Sequence, residues 1–170
     1  MGISIDRLAP EPISESARDL VDRFVRYESQ LADEFRLAEW EALWADDAIY
    51  WVPIGWDGYD PAEKVSLIYE DRRGIAGRIA RLSGNADYAE EPRSRVRRIL
   101  GERQITALGS DEYQSAGNFV LGSFRKDTQT VWAGMVRHRI RISGNTAELV
   151  EKVVWLLNSD GFVSGLSFLL

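Results

Sequence analysis

Residues 130–143 read TVWAGMVRHRIRIS, and their alternation decides the fold. Trp132, Val136, His138, Ile140 and Ile142 fall on one side of an extended chain, and Arg137, Arg139 and Arg141 fall on the other. Successive side chains of a strand point to opposite faces, so the pattern predicts a long strand with one apolar and one charged face. Working outward, three more long strands are expected over 94–108, 112–125 and 147–157. Between the four lie Gly109-Ser110-Asp111, Lys126-Asp127 and Ser143-Gly144-Asn145. Connections this short join antiparallel neighbours, so this half of the chain reads as a meander.

The preceding half has a different period. Ile13, Ala17, Leu20, Phe24, Tyr27 and Leu31 recur at spacings of four and three, which marks one apolar stripe on a helix, with Ser14 or Ser16 as its cap. A short second helix carries Leu37, Trp40, Leu43 and Trp44 on one side, with Asp33 placed to cap it and Ala45-Asp46-Asp47 to end it. Ile49-Tyr50-Trp51-Val52 is a short strand stopped by Pro53 and Gly55. A second short strand is expected over 65–69, a third helix over 74–82 with Ile75, Ile79 and Leu82 facing inward, and a polar connection over 83–92. Helices followed by a strand meander predict an α+β fold, a curved sheet wrapped on helices, and not a βαβ repeat. With Pro10 and Pro12, residues 1–13 read as a loose arm before a single domain over 14–170.

Composition removes several classes of function. The formal net charge is −6, which argues against a nucleic-acid partner, although eight arginines fall between Arg72 and Arg98. There is no cysteine and one histidine, His138. One chain therefore cannot assemble a zinc–thiolate site, Rieske ligation or a two-histidine, one-carboxylate iron site. A stretch of about 20 apolar residues is missing, as is a basic start followed by an apolar run. No membrane span and a cytoplasmic location are expected.

Several segments are familiar in order along the chain. They are Tyr27-Glu28 with Leu31 and Asp33-Glu34, then Trp40, Leu43 and Ala45-Asp46-Asp47-Ala48-Ile49-Tyr50-Trp51-Val52-Pro53. Tyr69-Glu70-Asp71-Arg72, Arg78-Ile79-Ala80-Arg81-Leu82 and Pro92-Arg93-Ser94-Arg95-Val96-Arg97-Arg98 follow, and the sequence closes on Leu156-Leu157-Asn158-Ser159-Asp160 and Leu166-Ser167-Phe168-Leu169-Leu170. From about Phe24 onward the chain resembles the β (small) subunits of aromatic-ring-hydroxylating dioxygenases. Tyr88, where many relatives carry histidine, and Gly134-Met135-Val136-Arg137-His138, which replaces a more arginine-rich segment, depart from that pattern. The resemblance implies a cone-shaped, nuclear-transport-factor-2-like (cystatin-like) fold, with three helices on a strongly curved, mixed but mostly antiparallel sheet. It also implies a homotrimer of this chain within an α3β3 hexamer. The partner α subunit would carry the Rieske [2Fe-2S] cluster and mononuclear iron, fed by NAD(P)H through a reductase. This chain would hold no cofactor or metal and play a structural role.

Individual residues leave alternatives open. His138, on the apolar face of its strand, is either a general base in a pocket or a core histidine with a hydrogen-bond partner. Tyr27 and Asp33, joined by Tyr50 and His138, would form the acid–base set of a stand-alone, cofactor-independent isomerase or dehydratase of the same fold; as a bland reading, Asp33 caps a helix and Tyr27 packs. A small-ligand binding module is a third class. Arg95, Arg97 and Arg98 are expected at a subunit interface, since guanidinium groups suit partly buried pairing with carboxylates. Trp51 and Trp56 are expected there too, because aromatics are enriched at interfaces. A free end normally frays, so the apolar ending Phe168, Leu169 and Leu170 needs somewhere to dock, either its own sheet or a neighbour, and is assigned to a subunit contact.

Overall fold

A computed structural model of the chain describes residues 13–56, 60–84, 92–161, 163 and 166–170. Tyr88 and the proposed arm up to residue 12 lie outside the described residues. Helix α1 (Glu15–Asp33) starts where expected, with the Ser14 hydroxyl accepting the Ala17 amide proton at 3.2 Å. Its buried face differs from the stripe read in sequence. Val21, Val25, Glu28, Leu31 and Ala32 are buried, whereas Leu20 and Tyr27 are exposed. Asp33 closes α1 and does not cap α2 (Leu37–Glu41), which has no side-chain cap.

Strand β1 (Trp44–Pro53) begins five residues before Ile49 and takes in Ala45-Asp46-Asp47, which were expected to end the helical region. The two exposed aspartates sit where the register with β6 slips between Trp44 and Ile49, so the strand tolerates them on its outer side. Strand β2 (Ser66–Asp71) leads into α3 (Arg72–Ser83), capped by the Asp71 carboxylate, which accepts the Gly74 amide proton at 2.8 Å. The long strands β3 (Arg95–Ala107), β4 (Glu112–Arg125), β5 (Thr128–Ser143) and β6 (Thr146–Leu156) follow the expected meander. Lys126 and Asp127 take positive φ values of 46° and 62°, the backbone that a two-residue hairpin between right-twisted strands demands.

One six-stranded sheet results, in the order β2-β1-β6-β5-β4-β3. Among the described strands, β1 and β6 pair in parallel and the other neighbours are antiparallel. Register shifts interrupt β3 between Leu100 and Arg103 and β5 between Arg139 and Ile140. Such bulges bend and twist a strand, and they let the sheet curl around the helices as a cone. Two glycines permit the tight spots. A β-carbon at Gly117, opposite the β3 bulge, would lie 2.8 Å from the Glu102 carbonyl oxygen, and one at Gly134 would run into that of Trp155. Helix α1 packs over β3 and β4, while α3 covers β1 and β2. The core between them is anchored by Trp40, whose ring meets Trp44 at 5.1 Å and Tyr50 at 6.0 Å.

Candidate functional site

Strand register sets a row of polar side chains across the concave face. Tyr50 of β1 lies beside Lys152 of β6, Lys152 beside His138 of β5, and His138 beside Ser115 of β4. On the other side Tyr50 neighbours Glu70 of β2, whose carboxylate takes both Arg78 Nε and Nη2, at 2.8 and 2.9 Å. Ser115, His138, Lys152 and Tyr50 are all buried.

Helix α1 lowers Glu28 onto this row. Its Oε1 accepts from Lys152 Nζ at 2.7 Å and from the Trp40 indole at 2.6 Å, and its Oε2 accepts from Ser29 at 3.3 Å. His138 Nε2 stands 3.6 Å from Oε2, a distance of charge proximity and not of a direct hydrogen bond. Burial alone would raise the Glu28 pKa, but the Lys152 ammonium beside it outweighs burial and holds the carboxyl well below the usual carboxylate range. Burial pulls Lys152 down, against the opposing pull of Glu28. Burial also lowers His138, so its imidazole is neutral near pH 7. The Tyr50 hydroxyl is pushed up to about 12, chiefly by burial.

Residues 166–170 close the space above the row. Lys152 Nζ donates to the Leu170 carbonyl oxygen at 2.5 Å, the Leu170 backbone amide donates to the Tyr50 hydroxyl oxygen, and Arg98 Nη2 donates to the Leu169 carbonyl oxygen at 2.8 Å. The Phe168 ring meets Trp132 edge-on at 5.7 Å. Both Asp33 oxygens are occupied by Arg98, through Nε at 2.7 Å and the backbone amide at 2.9 Å.

This geometry separates the acid–base set expected for a stand-alone enzyme. Tyr50 and His138 share the row, but Tyr27 is 42% exposed and Asp33 is consumed by Arg98. Glu28 spends its oxygens on Lys152, Trp40 and Ser29 and is no free base. Among the described residues, no group of three or more His, Cys, Asp or Glu side chains is arranged to hold a metal, and no helix is long and apolar enough to cross a membrane.

The residues assigned to an interface divide in two. Phe168, Leu169 and Leu170 are buried in the chain's own core, which corrects their assignment to a neighbouring subunit: the concave face of the same chain already covers their apolar surface. Arg98 is corrected likewise, its side chain 5% exposed and spent on Asp33 and Leu169. Arg95 and Arg97 lie at the surface, with Arg95 stacked on Phe124 at 4.9 Å. Trp56 is 47% exposed and donates to the Leu156 carbonyl oxygen, while Trp51 is half-buried, edge-on to the exposed Tyr69.

Sequence reasoning missed two groups. Glu28 and Lys152 are not singled out by it, although Lys152 alternates in phase with the buried Val150, Val154 and Leu156, a signal that it faces inward. The second group lies on the outer face of the sheet, where Ile99 pairs with Val120 and both are exposed, with Val131 exposed on the next strand.

Residues 27–160 match the family model of the ring hydroxylating beta subunit. The chain belongs to that family. Among its relatives, the small oxygenase component of the p-cumate 2,3-dioxygenase system of Pseudomonas putida is 29% identical over 82% of this chain and 78% of its own length. The benzene 1,2-dioxygenase subunit beta of Pseudomonas putida is 25% identical over 94% of this chain and 91% of its own. The crystal structure of the benzoate 1,2-dioxygenase beta subunit from Burkholderia mallei superposes with a TM-score of 0.71 at 26% identity, covering 87% of this chain and 93% of that one. The β subunit is thus a component of an aromatic-ring-hydroxylating oxygenase, with the nuclear-transport-factor-2-like fold.

Proposed function

We propose that this β subunit acts as the structural base of its dioxygenase, a homotrimer that seats three iron-bearing α subunits in an α3β3 hexamer in the cytoplasm. The observation that carries this reading is the closed concave face. The polar row is roofed by Glu28 and filled by residues 166–170, so among the described residues the row itself is not open to a substrate. The Rieske [2Fe-2S] cluster and mononuclear iron do not fit here, since the chain offers no cysteine and its one histidine lies buried beside the Lys152 ammonium. Those groups belong to the α subunit, and electrons from NAD(P)H reach them through a reductase.

What this chain supplies is surface. Ile99, Val120 and Val131 give the outer sheet face an apolar patch, and Arg95, Arg97, Trp51 and Trp56 add charged and aromatic contacts away from the closed core. Exposed apolar patches of this kind mark protein contacts. A reconstitution tests the reading. The α subunit alone, the β subunit alone and the mixture are assayed for aromatic-ring oxygenation with the reductase present. Turnover is expected only where α is present, with β raising it by restoring assembly. Turnover by β alone would overturn the proposal.

A further inference from the structure

The way residues 168–170 are held is the way a ligand is held. They belong to no helix or strand, yet Phe168, Leu169 and Leu170 are at most 4% exposed. Their backbone is gripped by side chains from three separate strands: Lys152 of β6 on the Leu170 carbonyl, Tyr50 of β1 on the Leu170 backbone and Arg98 of β3 on the Leu169 carbonyl. Each cation is already matched by a carboxylate, Lys152 by Glu28 at 2.7 Å and Arg98 by Asp33 at 2.7 Å. The donors are thus fixed before anything binds, and a receptor prepared in this way loses little freedom on taking an acyl oxygen. Beside the grip, polar capacity is left over. Ser115 Oγ and both ring nitrogens of His138 are buried without a hydrogen-bond partner, a costly arrangement that makes sense where polar ligand atoms are received.

We infer that the concave face is an acyl-recognition site for small molecules carrying a carbonyl or carboxyl oxygen next to a branched or aromatic apolar group, and that residues 168–170 are its tethered occupant. Lys152 and Arg98 read acyl oxygens, Tyr50 accepts from the amide beside them, and Trp132 and its apolar neighbours take the side chain. The segment competes with any free ligand, and its high local concentration keeps the site shut in the native subunit.

The test loosens the segment without touching the receptor. In the full-length chain, Phe168→Ser with Leu169→Ser removes the two apolar anchors. N-acetyl-L-leucinamide and N-acetyl-L-leucine serve as probes, the first with a neutral carbonyl and the second with a carboxylate. Calorimetry is expected to show saturable, one-to-one binding of at least one probe to the variant and none to the native chain; which probe binds tells which acyl oxygen the site prefers. A folded variant that binds neither overturns the inference. Should the double variant fail to fold, Tyr50→Phe decides, since it removes one hydroxyl from the grip and no bulk. Hydrogen exchange over residues 166–170 is then expected to speed up by roughly fivefold, as loss of one hydrogen bond implies, with exchange in β4 and β5 unchanged. Unaltered exchange in that segment would show that the grip does not hold it, and the inference would fall.

Discussion

Replacing Lys152 with methionine puts the buried charge arrangement under the most direct strain. The pair Glu28–Lys152 is 2.7 Å apart, with side chains 0% and 1% exposed. Lys152→Met keeps the length of the side chain but leaves the Glu28 carboxylate buried with no ammonium beside it. Breaking a buried pair from one side costs about 3–5 kcal/mol, and for a chain of this size that lowers Tm by roughly 6–20 °C. Glu28→Gln keeps an acceptor for the Trp40 indole and instead strands Lys152. The double variant Glu28→Gln/Lys152→Met buries no charge at all. It should therefore be more stable than the two single losses added together predict, by about 1–3 kcal/mol. Urea unfolding at pH 7, followed by tryptophan fluorescence, supplies all four corners of the cycle. The single variants also differ in pH dependence. Burial sets the folded pKa of Lys152 below its unfolded value, so the unfolded chain binds more protons in that window and stability climbs with pH. Without Glu28 to oppose burial, the climb between pH 7 and about pH 10 should be steeper in Glu28→Gln than in the native chain. Single losses under about 1 kcal/mol that simply add in the double variant would refute the reasoning, because the pair would then contribute nothing as a pair.

Three further outcomes are expected. Because burial holds the His138 pKa below its ordinary value, its contribution is present above about pH 6.5 and is lost as pH falls through the folded value; His138→Leu should flatten the urea midpoint between pH 7 and 5.5, and an unchanged slope would count against this. Gly134→Ala should destabilise the chain by at least about 1–3 kcal/mol or prevent soluble expression, because the added carbon meets the Trp155 carbonyl oxygen; a variant with native Tm would show that β5 and β6 do not approach so closely. Val131→Lys and Arg95→Glu, both at exposed positions, should shift the Tm of the isolated chain by less than about 0.5 kcal/mol equivalent while reducing the assembled fraction in light scattering; full assembly would remove that surface from the proposed contact.

How far the structure can be read in the sequence depends on whether a feature is local. Strand alternation over 130–143 places Trp132, Val136, His138 and Ile140 on the inner face, where they lie, because pleating is a property of neighbouring residues. The turn at Lys126-Asp127 is equally local. Helix α1 shows the opposite case. Two apolar stripes compete on it, and the buried one passes through Glu28, which lies off the stripe read in the sequence. Its burial is tolerable only because Lys152, 124 positions away, meets it. Asp33 misleads for a similar reason: its cap-like position precedes a helix, but Arg98, 65 positions on, claims its carboxylate. The apolar character of Phe168, Leu169 and Leu170 was legible; the partner that covers them was not, since their own concave face exists only after β1, β3 and β6 have come together. Curvature likewise rests on register shifts at Leu100/Arg103 and Arg139/Ile140, which appear only when two strands are paired.

The central claim is that this β subunit works by assembly. Its most direct test is to purify the tagged chain from its native host and measure the absolute mass and iron content of the particle. The account predicts an equimolar complex with an iron-bearing α subunit, of closed threefold symmetry and roughly 200 kDa. A particle made of this chain alone, free of iron and with no larger partner, would contradict it.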